Sequence, residues 1–306
     1  MNAPPRLFDR DLHRRRLDRA ARRFGQADFL KARAAQDIAQ RLEPIMRSFP
    51  LAVDLGAHDG AFARALAQSD AAGRVGALIE TDLSARMLGG RSGLRLQADE
   101  EALPFANETL DLIVSSLTLH WTNDLVGALI QIRRALKPDG LFIGTLLGGA
   151  TLTELRQSLL AAEAELSSGA GLRVSPFADA FDGAALLQRA GFALPVSDLD
   201  RVTVRYAHPL RLIADLRAMG ETNVLTDRAR KPLSRAVLAR ALDIYAERFS
   251  DADGKVRATF DLIILTGWAP HPDQQQPLRP GSAKMRLADA LHVKEQPTGD
   301  KPGSRD

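Results

Sequence analysis

The chain alternates between short apolar runs and longer segments in which apolar residues recur every three or four positions. A continuous apolar run predicts a strand buried on both faces, whereas the longer spacing predicts an amphipathic helix. The predicted strands cover residues 51–53, 74–79, 94–97, 110–117, 141–147, 196–206 and 256–267. The predicted helices cover residues 61–69, 84–88, 124–136, 151–166, 181–190, 209–219 and 233–249, preceded by a helical segment at 8–46.

This alternation predicts an α/β protein with a seven-stranded, mostly parallel sheet and a helical insertion before its last strand. The predicted parts are a basic helical N-terminal arm (1–50), a core (51–206), a helical insertion acting as a lid or substrate element (207–254), the last core strand (255–269) and a disordered tail (270–306). The tail is predicted from its Pro, Gln, Gly and charged residues.

Three local signals refine these boundaries. Pro44 and Pro50 are expected to close the N-terminal helical segment before the first strand. Residues 137–140 (KPDG) predict a sharp turn into the fifth strand. Thr151 and Glu154 have the spacing of a capping box, which predicts a helix that begins at Thr151.

The first strand runs into a glycine turn that is suited to ligand binding. In VDLGAHDG (53–60), Gly56 and Gly60 bracket the turn, and Asp54 places a carboxylate at the end of the strand. Glycines let the backbone pass close to a bound group, and open α/β sheets bind ligands at the carboxyl ends of their strands. The carboxylate disfavours a diphosphate and favours a ligand with cationic groups, such as S-adenosylmethionine (SAM). A purely structural strand–helix turn is the alternative.

The next two strands also end in acids, at Glu80 or Asp82 and at Asp99 with Glu100. A carboxylate can accept two hydrogen bonds from ribose hydroxyls, which suits the acid after the second strand. The acid after the third strand can accept from an adenine amino group. The base would lie between two apolar stretches, one at Leu83 and one around Ser116.

The amino-acid composition limits which kinds of chemistry and cellular location are possible. The 306 residues are 45% hydrophobic, enough for a full core, and the absence of cysteine excludes disulfides and thiolate chemistry. No apolar run approaches the roughly 18 residues of a membrane span, and no apolar signal segment opens the chain. The Arg-rich N-terminus is compatible with a mitochondrial presequence, but Asp9, Asp11 and Asp18 argue against one. A cytoplasmic location is therefore expected.

Positive charge is concentrated near the N-terminus. Residues 6–33 hold ten Lys and Arg against four acids, although the whole chain is only +3. The simplest interpretation is a solvated helix face. A surface for an acidic partner protein or for peripheral membrane contact is the alternative, and few aromatic residues are interleaved as a nucleic-acid site would require. No metal site is predicted among the six histidines.

Candidate catalytic and substrate-binding residues follow the fourth strand and the first insertion helix. His120 could act as a general base beside Trp121, or these two residues could only cap the strand and pack. Asn123 could meet a substrate or partner, or cap the next helix with Asp124. The segment after the first insertion helix could form a lid or docking loop, or it could be only a glycine C-cap followed by a loop. The residues concerned there are Met219, Gly220, Glu221 and Asn223.

Five segments resemble, in order, the motifs of class I SAM-dependent methyltransferases: VDLGAHDG, ETDLS, ADEEALPF, LDLIVSSLTLHW and KPDG. The resemblance implies a Rossmann-like methyltransferase sheet and SAM as the cofactor. Carried over onto this sequence, Asp54, Gly56 and Gly60 would meet the methionine end, Asp82 the ribose and Asp99 the adenine. His58 stands where that family has its middle glycine, and its Cβ is expected to crowd the turn.

A longer resemblance, spanning about residues 6–290, is to the mitochondrial complex I assembly factor 5 family. It rests on FDRDL (8–12), SSLTLHWTNDL (115–125), KPDGLFIG (137–144), TLTELR (151–156), SPF (175–177), LRAMGETN (216–223) and GSA (281–283). It implies that the partner is a quinone-module subunit of respiratory complex I and that an arginine of this subunit is modified. The modification reported for that family is hydroxylation. Shorter parts resemble malonyl-carrier-protein O-methyltransferases of biotin synthesis.

Three functions therefore remain open. The chain could modify an arginine of a complex I subunit, or methylate a small or carrier-bound acid. It could also be a non-catalytic, methyltransferase-like assembly chaperone in which His58 has weakened cofactor use. The oligomeric state is not determined by the sequence.

Overall fold

The computed structural model describes residues 6–167, 169, 171–177, 182–275 and 285–294, and it confirms the predicted fold class. The seven strands are β1 (Phe49–Leu55), β2 (Val75–Asp82), β3 (Leu94–Gln97), β4 (Leu110–Ser116), β5 (Leu136–Gly148), β6 (Ala193–Tyr206) and β7 (Val256–Trp268). They form one sheet in the order β3-β2-β1-β4-β5-β7-β6. Only β7 is antiparallel to its neighbours, β5 and β6.

Helices cover both faces of the sheet, as a parallel sheet requires. They are α1 (Arg10–Ala20), α2 (Phe29–Leu42), α3 (Ala61–Ala67), α4 (Leu125–Ala135), α5 (Thr153–Leu166), α6 (Gly183–Arg189), α7 (Pro209–Met219) and α8 (Arg235–Phe249). Apolar residues of α2 and α3 pack on one face, and those of α4 and α6 pack on the other. The two helices α7 and α8 lie between β6 and β7 in the chain, and they pack with α5 and the first half of β7.

The chain divides into two compact units. Residues 1–271 form the larger unit, which contains the sheet and the eight helices named above. Residues 272–306 form the smaller unit, in whose described part the short helix α9 (Leu287–Ala290) lies. Most of the predicted tail, including GSA at 281–283, falls outside the described residues, as does residue 181 of the predicted helix 181–190.

Two strands extend beyond their predicted limits. The first strand begins at Phe49 and includes Pro50, because the strand is paired there through Phe49 with Val75 of β2. The fifth strand begins at Leu136 and includes the predicted KPDG turn. Asp139 adopts a φ of +62°, and its N–H donates to the carbonyl of Ala269 (3.0 Å), so the bend is absorbed within the strand.

One predicted helix is absent, and another begins at Thr153 without its predicted cap. Residues 84–88 form turns rather than a helix. The capping box is absent, because both of its side chains bond to β7 instead. Thr151 Oγ1 accepts from the N–H of Asp261 (3.0 Å), and Glu154 Oε1 accepts from the hydroxyl of Thr259 (2.5 Å). Hydrogen bonds from the Thr151 and Glu154 side chains to a distant strand therefore replace those of a local cap.

The start of the described chain is bonded to the segment that follows α7. The N–H of Asp9 donates to the carbonyl of Val224 (2.8 Å), and the N–H of Thr226 donates to the carbonyl of Leu7 (2.9 Å). Asn123, between β4 and α4, joins this junction by accepting from the N–H of Phe8 (2.7 Å). These bonds hold α1 beside the carboxyl ends of the strands.

Candidate functional site

The turn after β1 has the geometry that only glycine allows. Gly56 and Gly60 have φ values of +69° and +77°, in the left-handed region. A Cβ at Gly56 would lie 2.5 Å from Thr118 Oγ1, and one at Gly60 would lie 2.6 Å from Glu80 Oε1. The turn therefore needs both glycines for conformation and for space.

Asp54 is a fully buried carboxylate at this edge, next to Glu80 on β2 and Val114 on β4 in the register. Neither of its side-chain oxygens has a hydrogen-bond partner within the described chain. Burial raises the pKa of Asp54 to about 7. A buried acceptor without a partner is costly, and a cationic ligand at this place would supply the missing bonds.

Lys31 of α2 lies at the same edge, where sequence reasoning did not place it. Its buried ammonium donates to the carbonyls of Gly56 and Ser116, which end β1 and β4. Burial lowers the pKa of Lys31. The missed signal is its position on the apolar face of α2, one turn before the buried Ala34 and Ala35.

Both carboxylate oxygens of Asp82, at the end of β2, are hydrogen-bonded to neighbouring residues. Its Oδ2 accepts from the backbone N–H of His58 (2.9 Å) and lies 2.7 Å from His58 Nδ1, while its Oδ1 accepts from the N–H of Ser84 (2.8 Å). The ring of His58 also meets the edge of Phe24, at 5.0 Å between centroids. His58 thus lies against the acid assigned to ribose.

The acids after β3 are paired with α1. The Arg10 guanidinium bonds to Asp99 (2.6 Å) and to Glu100, and its backbone acceptor is Trp121. Burial opposes the charge of Arg10, but Glu100 and Asp99 outweigh it and raise its pKa. Burial raises the pKa of Glu100. The acids predicted to meet adenine therefore hold the N-terminal segment in place.

The apolar residues assigned to the base are also covered. Leu83 is buried in a small cluster with Leu17, Phe24 and Met87, contributed mainly by the N-terminal segment. The side chain of Ser116 is buried at the end of β4, and its hydroxyl has no partner within the described residues.

The residues at this edge fit SAM at its amino-acid end. The unpaired carboxylate of Asp54 and the unpaired hydroxyl of Ser116 could bind an ammonium and a carboxylate, respectively. At the ribose and adenine ends, His58 and Arg10 already bond to the acids that were predicted to meet the nucleoside. A bound nucleoside would have to share or replace these partners.

A second group of side chains joins β4 to the insertion. Glu221, just after α7, lies 3.2 Å from His120 Nε2 and accepts from Trp121 Nε1 (3.0 Å). Burial opposes ionisation of Glu221, but His120 and the indole N–H outweigh it and lower its pKa. His13 of α1 stacks on Trp121, at 5.0 Å between centroids, and burial lowers its pKa. Sequence reasoning missed His13.

A cavity of about 590 Å³ connects these two groups. Its wall includes Lys31 and His58 at the glycine turn and Glu221 at the other group. Most of the remaining wall is apolar and comes from α5, α7 and the ends of β5 and β7, so charged groups in the cavity are poorly screened. This is the arrangement expected of a ligand site: an apolar cavity with a few convergent polar groups.

The other predicted residues have structural roles. Met219 is in the core, and Gly220 ends α7 in the left-handed region with a φ of +84°. Asn223 donates to the carbonyl of Leu172 (2.6 Å) and accepts from the N–H of Leu225 (2.9 Å), and it lines the cavity. Asn123 holds residue 8, as described above.

The described residues contain neither a cluster suited to a metal ion nor a helix suited to a membrane. No group of three or more His, Cys, Asp or Glu side chains there is arranged to hold a metal ion. No helix there is both long enough and apolar enough to cross a membrane.

Comparisons with known proteins agree with the fold. Residues 53–144 match the family model described as a methyltransferase domain. The chain is 40% identical over 294 residues to the protein named arginine-hydroxylase NDUFAF5, mitochondrial, of Danio rerio, covering 94% of this chain and 90% of that protein. It is 31% identical over 277 residues to a malonyl-[acyl-carrier protein] O-methyltransferase of Gallionella capsiferriformans, covering 87% and 93%. The solved YcgJ protein of Bacillus subtilis superposes with a TM-score of 0.53 at 16% identity, covering 78% and 99%.

One prediction from the sequence is contradicted by these relatives. The fish protein and the human one, also 40% identical, are both named mitochondrial, which points away from the expected cytoplasmic location. Two of the acids that argued against a presequence have structural roles in the folded chain. Asp9 caps α1, and Asp18 accepts from the hydroxyl of Ser84 (2.6 Å).

Proposed function

Because this chain belongs to the family of the arginine-hydroxylase NDUFAF5, within the class I SAM-dependent methyltransferase superfamily, we propose that it modifies an arginine side chain of a protein. The proposed protein substrate is a quinone-module subunit of respiratory complex I, for which the chain would act as an assembly factor. The single observation that carries the arginine proposal is the carboxylate of Glu221, whose side chain is 14% exposed, in the wall of the apolar cavity.

Glu221 suits a guanidinium for three reasons. His120 and Trp121 orient the carboxylate from one side and favour its ionised form. A carboxylate has about four acceptor positions, so it retains capacity for the paired N–H groups of an arginine. The apolar wall around it, which includes Leu152 and Phe260, would bury the methylene stem of the arginine and exclude water.

The proposed chemistry is hydroxylation, as in the name of the relatives. A C–H hydrogen of the arginine is replaced by a hydroxyl, dioxygen supplies the oxygen, and an external two-electron reductant lets the second oxygen leave as water. The chain's own part is to bind and orient: Glu221 holds the guanidinium, and His120 positions Glu221 and can hold a proton at Nε2.

We also propose SAM as a ligand of the edge formed by Asp54, Gly56 and Ser116. Asp54 would bind its ammonium group, and the two glycines allow its close approach to the backbone. When bound, SAM supplies an activated methyl group. The cavity reaches this edge at Lys31 and His58, so a group held by Glu221 would lie in a space that adjoins the proposed SAM site.

The second candidate is methylation of a carrier-bound acyl carboxylate. Arg173 and Arg217 line the same cavity and could attract such a group, and the O-methyltransferase relatives cover most of the chain. The negative charge of Glu221 opposes this candidate, because it would repel a second carboxylate nearby in a mostly apolar cavity.

Mass spectrometry of the quinone-module subunit tests the proposal. Subunit would be purified from a strain lacking this protein and from the same strain complemented with the wild type or with Glu221→Gln. We expect one arginine peptide to carry an additional oxygen only with the wild type. An unmodified arginine in the wild-type sample would overturn the proposal, and a methyl ester on a carrier-bound acid would establish the second candidate.

A further inference from the structure

A second pocket, strongly basic, opens beside the apolar cavity. Its volume is about 580 Å³, and we call it the arginine pocket after the residues that line it, Arg16, Arg173, Arg228 and Arg230, together with Asp9 and Asn223. Arg173 and Asn223 line the apolar cavity as well, so the two spaces are adjacent. The arginine pocket is not used in the proposed reaction described above.

The charges of the arginine pocket are not balanced from within. Arg173 is paired with Glu163 (2.8 Å), and Arg228 lies 3.8 Å from the carboxylate of Asp9. Arg16 and Arg230 have no ion pair or side-chain hydrogen bond within the described part of the chain. At least two positive charges are therefore available to a ligand.

The environment of Arg16 shows that the unbalanced charge has an energetic cost. Burial, followed by the charges of Arg228 and Arg19, lowers the pKa of Arg16. Neighbouring like charges disfavour the charged form of a group. An anion in the arginine pocket would remove this repulsion, so binding it would be favoured by more than contact alone.

Tertiary structure holds the arginines in place from three parts of the chain. Arg16 is on α1, Arg173 follows α5, and Arg228 and Arg230 follow α7. The bond from the N–H of Asp9 to Val224 joins two of these parts, and the bond from Asn223 to Leu172 joins the third. The arginine pocket is thus a built feature rather than a run of solvated charges.

The chemistry favours carboxylates as the ligand. Guanidinium groups match the fork of a carboxylate with two parallel hydrogen bonds. Asp9 already lies in the arginine pocket, where its Oδ1 accepts from the N–H of Leu12 (2.9 Å), so a carboxylate is compatible with these surroundings. The pocket is also wide for a single phosphate, and its positive side chains are distributed over separate segments as an extended acidic chain would require.

We propose that the arginine pocket binds acidic side chains that lie close in sequence to the target arginine of the protein substrate. This inference rests on the proposed arginine modification. The target arginine enters the apolar cavity towards Glu221, and an adjacent Asp or Glu is held by Arg16 and Arg230. Asn223, which lines both spaces, marks the boundary between the two side chains. The substrate is thereby selected by an acidic residue next to its arginine.

Fluorescence anisotropy with labelled synthetic peptides tests this selection. The first peptide has a central arginine flanked by Glu residues, and the second replaces each Glu by Gln. We expect the wild-type protein to prefer the Glu peptide by about tenfold. The preference should disappear in the double variant Arg16→Gln with Arg230→Gln, which breaks no observed bond. It should persist in Arg22→Gln, which removes an exposed charge from the same N-terminal segment.

A third peptide separates this proposal from the proposed function. It keeps the Glu residues but has norleucine in place of arginine. If it still binds better than its Gln counterpart, the arginine pocket is supported even where arginine modification fails. Equal affinity of the Glu and Gln peptides for the wild type overturns the proposal. So does displacement of the Glu peptide by phosphopantetheine at a lower concentration than by a free Glu peptide, since this identifies the arginine pocket as a phosphate site.

Discussion

His58 Nδ1 lies 2.7 Å from Asp82 Oδ2 at the end of β2, and the backbone N–H of His58 donates to the same oxygen. Burial opposes ionisation of Asp82, but its bonds with His58 outweigh this and lower its pKa. The residue that replaces the glycine of the methyltransferase motif is therefore a partner of the acid assigned to ribose. His58 and the ribose of a bound nucleoside would therefore compete for the carboxylate of Asp82.

Replacing His58 by glycine tests this competition. The residue has a φ of +49°, so glycine relieves strain and also removes the imidazole from Asp82 Oδ2, which keeps the backbone N–H of residue 58 as a partner. We expect SAM to bind His58→Gly more tightly than the wild type by about tenfold, because the acceptor position left by the imidazole is then open to the ligand. Isothermal titration calorimetry measures this. His58→Ala keeps the strain and is the control; unchanged affinity in both variants would contradict the competition.

No heat of binding with millimolar SAM in the wild type and in both variants would have a broader meaning. It would remove SAM as the ligand of this edge and would favour the non-catalytic alternative. The fold of each variant is checked in the same samples by thermal unfolding.

Asp54 is expected to give stability an unusual pH dependence. Its folded-state pKa of about 7 is above the ordinary value of 3.8, so the folded state holds more protons than the unfolded state between these limits. The free energy of unfolding therefore falls as pH rises from about 4 to about 7, and this contribution is constant above that range. Urea unfolding at a series of pH values measures it.

Two variants isolate that effect. Asp54→Asn should lose the decline in stability between about pH 4 and pH 7, whereas Asp70→Asn, at an exposed position, should keep it. The same decline in wild type and Asp54→Asn would show that other groups cause it. In the wild type, SAM affinity should increase through about pH 7 as Asp54 becomes ionised and attracts the ammonium group.

Arg10 should be important for stability although it belongs to a basic arm. Its side chain is 13% exposed and that of Glu100 is 4% exposed, so Arg10→Gln leaves a buried carboxylate without its partner. We expect a loss of about 3 kcal/mol in the free energy of unfolding. Arg14→Gln, whose pair with Asp11 is at 4.0 Å and largely exposed, should cost less than about 0.5 kcal/mol.

A double-mutant cycle supports the assignment of this loss. Adding Glu100→Gln to Arg10→Gln should recover much of the stability, since no charge then remains buried and unpaired. Additive losses measured by urea unfolding would show that Arg10 acts through its packing instead.

Glu221 and His120 should affect arginine modification to different extents. Glu221→Gln keeps the shape but removes the charge, and we expect the affinity for an arginine peptide to fall roughly a hundredfold. His120→Gln leaves the carboxylate in place with one partner fewer, so a loss of about tenfold is expected. Anisotropy measures both, and Trp121→Phe, which removes only the indole donor, is the comparison.

The sequence was sufficient for most of the fold because its signals are local. The run at 110–117 became β4, which is buried along its whole length, since a parallel strand covered on both faces needs continuous apolar residues. The failures occurred where distant groups competed with local ones. Thr151 and Glu154 have the spacing of a capping box, yet β7 supplied stronger partners for both.

The acidic edge was also predictable, because the carboxyl ends of parallel strands meet at one edge. Asp54 and Glu80 are register partners on β1 and β2, as this geometry requires. The partners of the acids were not predictable. Arg10 and Glu100 are 90 positions apart, and the segment from 6 to 33 gave only a surplus of positive charge.

By itself, then, the sequence determined the order of strands and helices, the glycine turn with its row of acids, and the superfamily. Periodicity, turn chemistry and motif spacing are properties of neighbouring residues, and the chain displays them directly. Only the tertiary structure decided that Arg10, Lys31 and His58 lie at those acids and carbonyls, and that Glu221 meets His120 in an apolar cavity. Those relationships depend on how α1, α2 and the insertion pack, and packing over long sequence separations leaves no periodic pattern to read.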